Sequence, residues 1–442
     1  MSPPVTVALS TLGCRLNQVE SQEMGALLER HGFRVVASGD AAQVHVVNTC
    51  TVTGRADFSD RQLIRRVGRE NGHAFLVVTG CYAQTDPGAV AAIPGVDLVV
   101  GNQEKYRLPE LLGSLVKRGS GPTISVGDIA AARHVPVAPF ARVSGRSRAF
   151  VKIQDGCQHR CAFCIVPTAR GGSRSQEPKV VLDQVHALAE AGYLDITLTG
   201  VDIGHYGWDL YPRISLATLL RSLAEVPGVR WLRLSSVLPS YFTPELVHAV
   251  TPLPGVAPHL HLPLQSGSDR VLRLMRRPYH TRTYRGLVDR LAAATPGLGL
   301  GADVIVGHPG ETDDDFEETL RFVDSLPFSY LHVFSYSDRK GTEASRRPDH
   351  VPAAVIRERS RRLRRLGREK SGAFRRGMIG TRHEALVLEE RDRQTGLLSG
   401  LTSNYVEVLF AGRDGFGRHI VPLEIAEVRG DRAYGRLAAV GA

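Results

Sequence analysis

The chain has 442 residues, of which 43% are hydrophobic and 23% charged, with a formal net charge of +10 and six cysteines. At roughly 150 residues per domain this length suggests about three domains, and the apolar fraction excludes a largely disordered chain. No apolar run approaches the ~18 residues that a membrane span needs, and the N-terminus does not resemble a signal peptide. We therefore expect a cytoplasmic protein without membrane contacts, in which cysteines bind metal rather than form disulfides.

The first region, residues 3–115, alternates short β-rich segments with helical segments. Such alternation is typical of βαβ units and predicts a parallel sheet with helices in an α/β domain. The predicted strands cover 5–10, 44–48, 74–79 and 97–100, and the clearest helices 19–31 and 58–70. Residues 116–142 contain several glycines and prolines without sustained periodicity, which predicts a linker.

The second region, residues 143–372, repeats the strand–helix alternation six times. Six such units favour an incomplete (βα)6 barrel over an open sheet, and ligand sites in such barrels lie at the carboxyl ends of the strands. The predicted strands cover 149–154, 195–199, 231–235, 259–262, 300–306 and 330–335. The predicted helices lie near 178–192, 215–226, 243–251, 268–276, 281–294 and 313–326.

The third region, residues 373–442, consists of short β-rich runs separated by turns rich in glycine and aspartate. This pattern predicts a small all-β barrel of four or five strands. Directly before it, residues 357–376 carry ten positive charges against two negative ones. A solvated helix face and a surface for RNA phosphates are both consistent with this run.

Three cysteines, Cys157, Cys161 and Cys164, lie within eight residues directly after a predicted strand. Three thiolates on one tight loop can hold three irons of a 4Fe–4S cluster, which leaves the fourth iron open to another ligand. A structural zinc site is the alternative, but it normally needs four ligands. His159 is the available fourth ligand inside the loop, where convergence on one ion is awkward.

The other three cysteines, Cys14, Cys50 and Cys81, each follow a predicted strand of the first region closely. Parallel strands place such positions at the same edge of a sheet, where α/β folds bind ligands. Small glycine and threonine neighbours leave room for a cluster to approach the backbone. Three unrelated buried thiols are the alternative, but the repeated setting favours a second three-ligand iron–sulfur cluster.

The loop of Cys157, Cys161 and Cys164, with Phe163 before its last cysteine, resembles the cluster loop of the radical S-adenosylmethionine (SAM) enzymes. The resemblance implies that SAM chelates the open iron and that an electron from the cluster cleaves it to methionine and a 5′-deoxyadenosyl radical. It also implies that Phe163 packs near the adenine of SAM. Gly200, at a strand end, is the position where the superfamily exposes backbone to the SAM amino group.

Four further residues are candidates for contacts with SAM or substrate. Gln265, Ser266 and Asp269 follow a predicted barrel strand and are expected to meet polar groups of SAM, with helix capping as the alternative. Arg170 is expected either to contact the substrate or the SAM carboxylate, or to form a surface salt bridge.

A domain with three cysteines before a radical SAM barrel is similar to the methylthiotransferase family, and the resemblance covers nearly the whole chain. It rests on residues 11–20, Asn48-Thr49-Cys50, Gly80-Cys81 and residues 154–171, and the terminal β region resembles the TRAM domain of that family, a small RNA-binding barrel. Thr168 departs from the family pattern, which usually has an aromatic residue there, and Gln158-His159 replace an Asn-rich pair.

The family resemblance implies the cofactors and partners. These are two 4Fe–4S clusters, two SAM molecules per turnover as methyl donor and radical source, the anticodon stem-loop of tRNA, and an electron donor such as flavodoxin or ferredoxin. Residues 198–207 and 234–237 are similar to the branch that adds a methylthio group to C-2 of N6-threonylcarbamoyladenosine. The alternatives are N6-isopentenyladenosine in tRNA, an aspartate of a ribosomal protein and, more distantly, a non-catalytic zinc or iron–sulfur RNA-binding protein.

Overall fold

A computed structural model describes residues 3–113, 121–140, 146–251 and 253–438. The chain divides into two compact units: the first comprises Met1–Ala141, Gln154–Gln176 and Ser337–Thr342, and the second Arg142–Ile153, Glu177–Tyr336 and Glu343–Ala442. Both ends of the predicted linker (116–120 and 141–142), the start of the second predicted region (143–145) and residues 439–442 lie outside the described residues. Within the described ranges, no helix is both long and apolar enough to span a bilayer.

The elements of the described residues are numbered in chain order. The strands are β1 Thr6–Thr11, β2 Arg34–Val36, β3 Val44–Thr49, β4 Phe75–Gly80, β5 Leu98–Val100, β6 Thr123–Ser125, β7 Ala149–Lys152, β8 Gln154–Asp155, β9 Arg174–Ser175, β10 Asp195–Thr199, β11 Trp231–Leu234, β12 His259–His261, β13 Gly299–Val306, β14 Tyr330–Ser335, β15 Arg382–Val387, β16 Leu398–Thr402, β17 Glu407–Phe410, β18 Ile420–Arg429 and β19 Arg432–Leu437. The helices are α1 Arg15–Arg30, α2 Gly54–Glu70, α3 Cys81–Thr85, α4 Pro87–Ala91, α5 Leu108–Leu111, α6 Val166–Arg170, α7 Pro178–Glu190, α8 Leu216–Ala224, α9 Pro244–Val250, α10 Asp269–Leu274, α11 Thr281–Ala294, α12 Asp313–Asp324 and α13 Ala353–Arg376.

The first unit contains a six-stranded parallel sheet in the order β2-β1-β3-β4-β5-β6. Strand β3 is buried on both faces: Val44 and Val46 belong to one apolar cluster and Val47 to another. This is the pattern of a parallel strand covered by helices on both sides, so the prediction of a parallel sheet is confirmed. Strand β6 lies inside the segment predicted as a linker, because three residues are too few to show a periodicity.

Helices α1 and α2 each begin four residues before their predicted starts. The first turn of α1 begins at Arg15 and that of α2 at Gly54, where Thr53 caps the helix by accepting a hydrogen bond from Ala56 N. These first turns are mostly polar, so they lack the apolar spacing on which the predicted boundaries were based. The earlier start of α1 places Cys14 at its N-cap.

Gly80, the residue before Cys81, is required by the close approach of β4 to β3. Its φ is +97°, and a Cβ atom there would lie 2.4 Å from the carbonyl oxygen of Thr49. We expect Gly80→Ala to lower the free energy of unfolding by about 3 kcal/mol, since left-handed strain of about 1 kcal/mol adds to overpacking of about 2 kcal/mol. Gly32→Ala is the matched control, with φ +83° and no atom within 4 Å, and should cost about 1 kcal/mol. Denaturant unfolding of both variants measures the difference, and equal costs would contradict the steric argument.

The second unit contains six parallel strands, in two hydrogen-bonded sheets of order β11-β10-β7 and β12-β13-β14. A parallel bridge between Leu232 and Val256 and a hydrogen bond of 3.1 Å from Val237 N to the His261 carbonyl connect the segments of β11 and β12. The six predicted strands are thus present in the predicted order, alternating with helices. The partial (βα)6 barrel is confirmed.

The C-terminal part of the second unit is a closed barrel in the order β15-β16-β17-β19-β18. Its interior holds apolar side chains from every strand, among them Val387, Val408 and Leu423. All pairings are antiparallel except β17 with β19. The predicted all-β barrel therefore has five strands.

The turn after β16 inserts into the amino-terminal end of the partial barrel. Buried Arg233 of β11 donates to the carbonyl oxygens of Ser403 (2.7 Å) and Thr402 (3.0 Å) and pairs with Asp195 of β10 at 2.7 Å. Tyr405, at φ +73°, stacks on His259 of β12 with ring centroids 4.1 Å apart. Polar groups at the start of the barrel strands thereby hold this turn in place.

Candidate active site

The first unit brings Cys14, Cys50 and Cys81 to one edge of its sheet. Cys50 directly follows β3, Cys81 directly follows β4, and Cys14 follows β1 after a two-residue turn. Because β1, β3 and β4 are adjacent and parallel, their carboxyl ends lie side by side. Cys14 is exposed, whereas Cys50 and Cys81 are buried. All six cysteines lie within the described ranges, and none of them forms a disulfide.

The protonation of the two buried thiols depends on their surroundings. Burial raises the pKa of Cys50 to about 12; a hydrogen bond with the Val52 backbone lowers it, and negative charge on Cys81 and Cys14 raises it further. Burial also raises the pKa of Cys81, against the lowering effect of the Arg170 charge. Such thiols keep their protons at neutral pH until a metal replaces them.

The backbone around these thiols is tightly shaped. Gly13 has φ +99°, and a Cβ atom there would lie 2.9 Å from Sγ of Cys50. Gly13 therefore lets the chain pass close to Sγ of Cys50 without a side chain between them. Three soft sulfur donors at one sheet edge, with glycines on the approach, fit a three-ligand iron–sulfur cluster.

The loop that carries Cys157, Cys161 and Cys164 is closed at its base. It follows β8, which pairs antiparallel with β9, and Cys157 N donates to the carbonyl oxygen of Gly171 at 3.0 Å. Cys164 N donates to the Cys161 carbonyl at 3.1 Å, which forms a tight turn before α6. All three cysteines are partly exposed. Partly exposed thiols on a closed loop suit a cluster with one iron facing a ligand.

Arg170, at the end of α6, is buried, with 3% of its side chain exposed. Its guanidinium lies 2.8 Å from Oε1 of Glu20, 3.1 Å from Oδ1 of Asp155 and 2.7 Å from Oδ1 of Asn17. Burial opposes its charge, but the attraction of Cys81 in its ionised form and of the Glu20 and Asp155 carboxylates outweighs burial and holds the pKa of Arg170 well above its usual value. The predicted surface salt bridge is therefore wrong, because the partners of Arg170 come from α1 and β8.

A buried polar network extends from Arg170 to Cys81 and Cys14. Lys105 Nζ lies 2.6 Å from Glu20 and donates to Asn102 Oδ1 at 2.9 Å. Asn102 Nδ2 in turn donates to the carbonyl of Ala169 in α6 at 2.7 Å and lies 4.0 Å from Sγ of Cys81. At the other end, Asn17 Oδ1 lies 3.8 Å from Sγ of Cys14. We define these charged and amide residues as the Arg170 network: Asn17, Glu20, Asn102, Lys105, Asp155 and Arg170.

The sequence prediction did not find this network. One signal was available: Asn17, Glu20 and Glu23 recur every three residues on the same buried face of α1 as Leu16 and Val19. A polar stripe on a buried helix face indicates buried hydrogen-bonding partners. The partners themselves come from distant segments, so the sequence did not identify them.

The predicted SAM contacts outside the cysteine loop lie in the second unit. Gly200 directly follows β10 and is partly buried. Gln265 adopts φ +66°, and its backbone pairs with β13, with Gln265 N donating to the Asp303 carbonyl at 2.8 Å. Ser266 Oγ lies 3.2 Å from Thr319 Oγ1, and Asp269 accepts a hydrogen bond of 2.7 Å from Thr281 N at the start of α11. Phe163, in the cysteine loop of the first unit, is half-buried.

Comparison with known proteins relates this architecture to characterised enzymes. Residues 6–101 match the Uncharacterized protein family UPF0004, and residues 151–323 match the Radical SAM superfamily. The chain is 39% identical to the threonylcarbamoyladenosine tRNA methylthiotransferase MtaB of Bacillus subtilis, over 95% of this chain and 93% of that protein. It is 38% identical to MtaB of Aquifex aeolicus, over 93% of this chain and 98% of that protein.

The chain is also similar to a second kind of tRNA methylthiotransferase and to a solved radical SAM structure. The chain is 39% identical to the tRNA-2-methylthio-N(6)-dimethylallyladenosine synthase of a Parafrankia species, over 88% of this chain and 80% of that protein. The chain belongs to the radical SAM methylthiotransferase family. The radical SAM methyltransferase TsrM of Kitasatospora setae has the same fold over 77% of each chain, with a TM-score of 0.59 and 17% identity.

Membership of the radical SAM methylthiotransferase family confirms the family predicted from the cysteine pattern. The protein is an enzyme, and the radical SAM match implies a 4Fe–4S cluster and SAM as cofactors. The loop with Cys157, Cys161 and Cys164 lies inside the matched radical SAM region, whereas Cys14, Cys50 and Cys81 lie inside the other matched region.

Proposed function

We propose that this enzyme adds a methylthio group to C-2 of N6-threonylcarbamoyladenosine beside the anticodon of tRNA. The main support is the similarity to three relatives named for this modification. The chain matches 93%, 98% and 100% of their lengths. The Parafrankia relative, named for dimethylallyladenosine, has the same 39% sequence identity as the Bacillus subtilis relative, but the match covers 80% of its length. Modification of N6-isopentenyladenosine is therefore the second candidate.

Each cysteine triad would bind one of two iron–sulfur clusters with different roles in the reaction. We assign Cys157, Cys161 and Cys164 to the SAM-binding 4Fe–4S cluster, and Cys14, Cys50 and Cys81 to a second 4Fe–4S cluster. When bound, the two clusters and two SAM molecules per turnover supply the sulfur site, the methyl group and the 5′-deoxyadenosyl radical. A small electron carrier such as flavodoxin or ferredoxin would supply the electrons.

The chain's own groups then orient the reaction. Gly200 would offer its backbone to the SAM amino group, and Phe163 would pack against the adenine. Of the remaining SAM candidates, Gln265 is the best placed. Its side-chain Oε1 is buried and has no hydrogen-bonding partner in the described structure, whereas Ser266 and Asp269 already bond to Thr319 and Thr281. A buried carbonyl without a partner favours a ligand donor at that position.

Contacts with tRNA would come from the C-terminal barrel and from part of α13. Many charges of α13 have protein partners: Arg359 pairs with Glu311 at 2.7 Å, Arg362 with Glu317 at 2.6 Å, and Lys370 donates to the Asp324 carbonyl. These residues attach the helix to the partial barrel, so the run is partly structural. Of the remaining cations, Arg357 and Arg368 are exposed and are the better candidates for phosphate contacts.

Mass spectrometry of tRNA nucleosides tests the substrate. In a strain that lacks the gene, we expect 2-methylthio-N6-threonylcarbamoyladenosine to disappear and its unthiolated precursor to accumulate. The 2-methylthio form of isopentenyladenosine should remain unchanged. Complementation with the wild-type gene should restore the modification, and a Cys157→Ala gene should not. Loss of the methylthio group from isopentenyladenosine instead would assign the chain to the second candidate function.

A further inference from the structure

Three potential metal ligands converge in the second unit, on neighbouring strands of the partial barrel. They are His261 of β12, Asp303 of β13 and His332 of β14. Oδ1 of Asp303 lies 2.9 Å from Nε2 of His261 and 3.2 Å from Nδ1 of His332. One ligand atom from each residue lies within 4.8 Å of both others. Asp303 and His332 are direct partners in the strand register, so the sheet itself fixes their separation.

A second layer of contacts holds His261 in place. Nδ1 of His261 lies 3.1 Å from the hydroxyl of Tyr330, and that hydroxyl lies 2.9 Å from Nε2 of His259. This leaves Nε2 of His261 directed at Asp303. Histidines that bind metal typically have their other ring nitrogen held by such a hydrogen bond, which sets the tautomer and the ring orientation.

His261, Asp303 and His332 lie inside the partial barrel. Tyr405, in the inserted turn, contacts His259 and Tyr330, and Arg148 and Arg233 also face its ring. These residues come from the starts of several strands, so Tyr405 occupies the barrel interior at its amino-terminal end. His261 and His332 stand two residues after His259 and Tyr330 and therefore face the same side, one layer nearer the carboxyl ends. The side chain of His332 is 55% exposed, so an ion can reach the three residues from solvent.

We propose that His261, Asp303 and His332 bind one divalent transition-metal ion. Two imidazoles and a carboxylate form a donor set that suits Zn²⁺ and Fe²⁺. An ion about 2.1 Å from each donor needs donors roughly 3.0 to 3.4 Å apart. The distance of 3.2 Å between Asp303 and His332 lies in this range, and the distance of 2.9 Å between Asp303 and His261 lies just below it, so small side-chain shifts would admit an ion. Three protein ligands leave at least one position for water or an anionic oxygen that enters the barrel. This site is additional to the two cysteine triads, and the proposed function assigns it no role.

Zinc loading of the intact enzyme tests the site. The cluster-loaded full chain is equilibrated anaerobically with buffered Zn²⁺, and zinc and iron are measured by mass spectrometry. We expect one zinc per wild-type chain with unchanged iron. Affinity should fall by at least about tenfold in His332→Ala and Asp303→Asn, and by about tenfold in Tyr330→Phe, which removes the hydroxyl beside His261. His186→Ala, an exposed histidine on α7, is the matched control and should bind zinc like the wild type.

X-ray absorption at the zinc edge identifies the ligands directly. The expected spectrum shows nitrogen and oxygen at about 2.0–2.2 Å with imidazole scattering. A sulfur shell at about 2.3 Å would place the zinc on cysteines and overturn the proposal. Wild-type affinity in His332→Ala would overturn it too, and this half-exposed position tolerates substitution without loss of the fold. If the wild type binds no zinc, the three residues form only a hydrogen-bonded His–Asp–His cluster.

Discussion

Replacing Cys14, Cys50 and Cys81 together with Ala should lower the iron content from about eight to about four atoms per chain. Methylthiolation should be abolished, whereas some SAM cleavage should persist. The reason is that each proposed cluster has its own ligands: these three thiols lie at the sheet edge of the first unit, and the loop with Cys157, Cys161 and Cys164 is unchanged in this variant. Iron and sulfide analysis, with 5′-deoxyadenosine as the readout of SAM cleavage, measures both effects.

The reciprocal variant is the control. Replacing Cys157, Cys161 and Cys164 with Ala should also leave about four irons, but SAM cleavage should fall to the background level. The two variants thus have equal iron contents and opposite SAM-cleavage activities. If the first variant still holds about eight irons, the assignment of a second cluster to Cys14, Cys50 and Cys81 is wrong.

Replacing Arg170 with Met should lower the free energy of unfolding by about 3–5 kcal/mol. The substitution leaves Glu20 and Asp155 buried, with Lys105 as the cation that still pairs with Glu20. Asp155 keeps only Arg174, at 3.9 Å, so the two carboxylates lose part of their compensating charge in an interior that solvates them poorly. Denaturant unfolding measures the loss. The iron content should fall as well, since the Arg170 network connects α1, which begins beside Cys14, with α6, which follows Cys164.

Two comparisons separate charge burial from general damage. Arg221→Met breaks the ion pair between Arg221 and Glu245, whose side chains are 41% and 47% exposed. It should lower the free energy of unfolding by less than about 1 kcal/mol. Adding Asp155→Asn to Arg170→Met should recover part of the stability, because a buried carboxylate that has lost its nearest cation is then removed. Equal costs for Arg170→Met and Arg221→Met would show that the buried pairing contributes nothing.

The two cysteine triads could be proposed as ligand sets from the sequence because each has a local signature. Cys157, Cys161 and Cys164 are close in the chain, so their spacing alone restricts what they can bind. Cys14, Cys50 and Cys81 are far apart, but each repeats the same strand-end setting, and adjacent parallel strands then bring them to one edge. The six strands of the partial barrel were equally readable, since runs of buried apolar residues recur between helical segments.

The surroundings of these ligands were not readable. Arg170 looked like a surface or substrate-binding residue, yet its partners Glu20 and Asp155 lie 150 and 15 residues away in the chain. His261, Asp303 and His332 carried no shared motif, and they meet because of strand register. In α13, the count of ten positive charges did not reveal that Arg359 and Arg362 pair with acidic groups around α12.

The order of the elements, the two sets of three thiols and the family of the chain could all be inferred from the amino-acid sequence. These depend on residue type, short spacing and periodicity, which are properties of the chain alone. The three-dimensional structure was needed to show which charges are buried and paired, how the Arg170 network reaches Cys14 and Cys81, and which histidines meet a carboxylate inside the barrel. Such contacts depend on separations of about 3 Å between residues distant in the chain, because hydrogen bonds need donor–acceptor distances of about 2.7–3.2 Å. Local sequence patterns do not encode those separations.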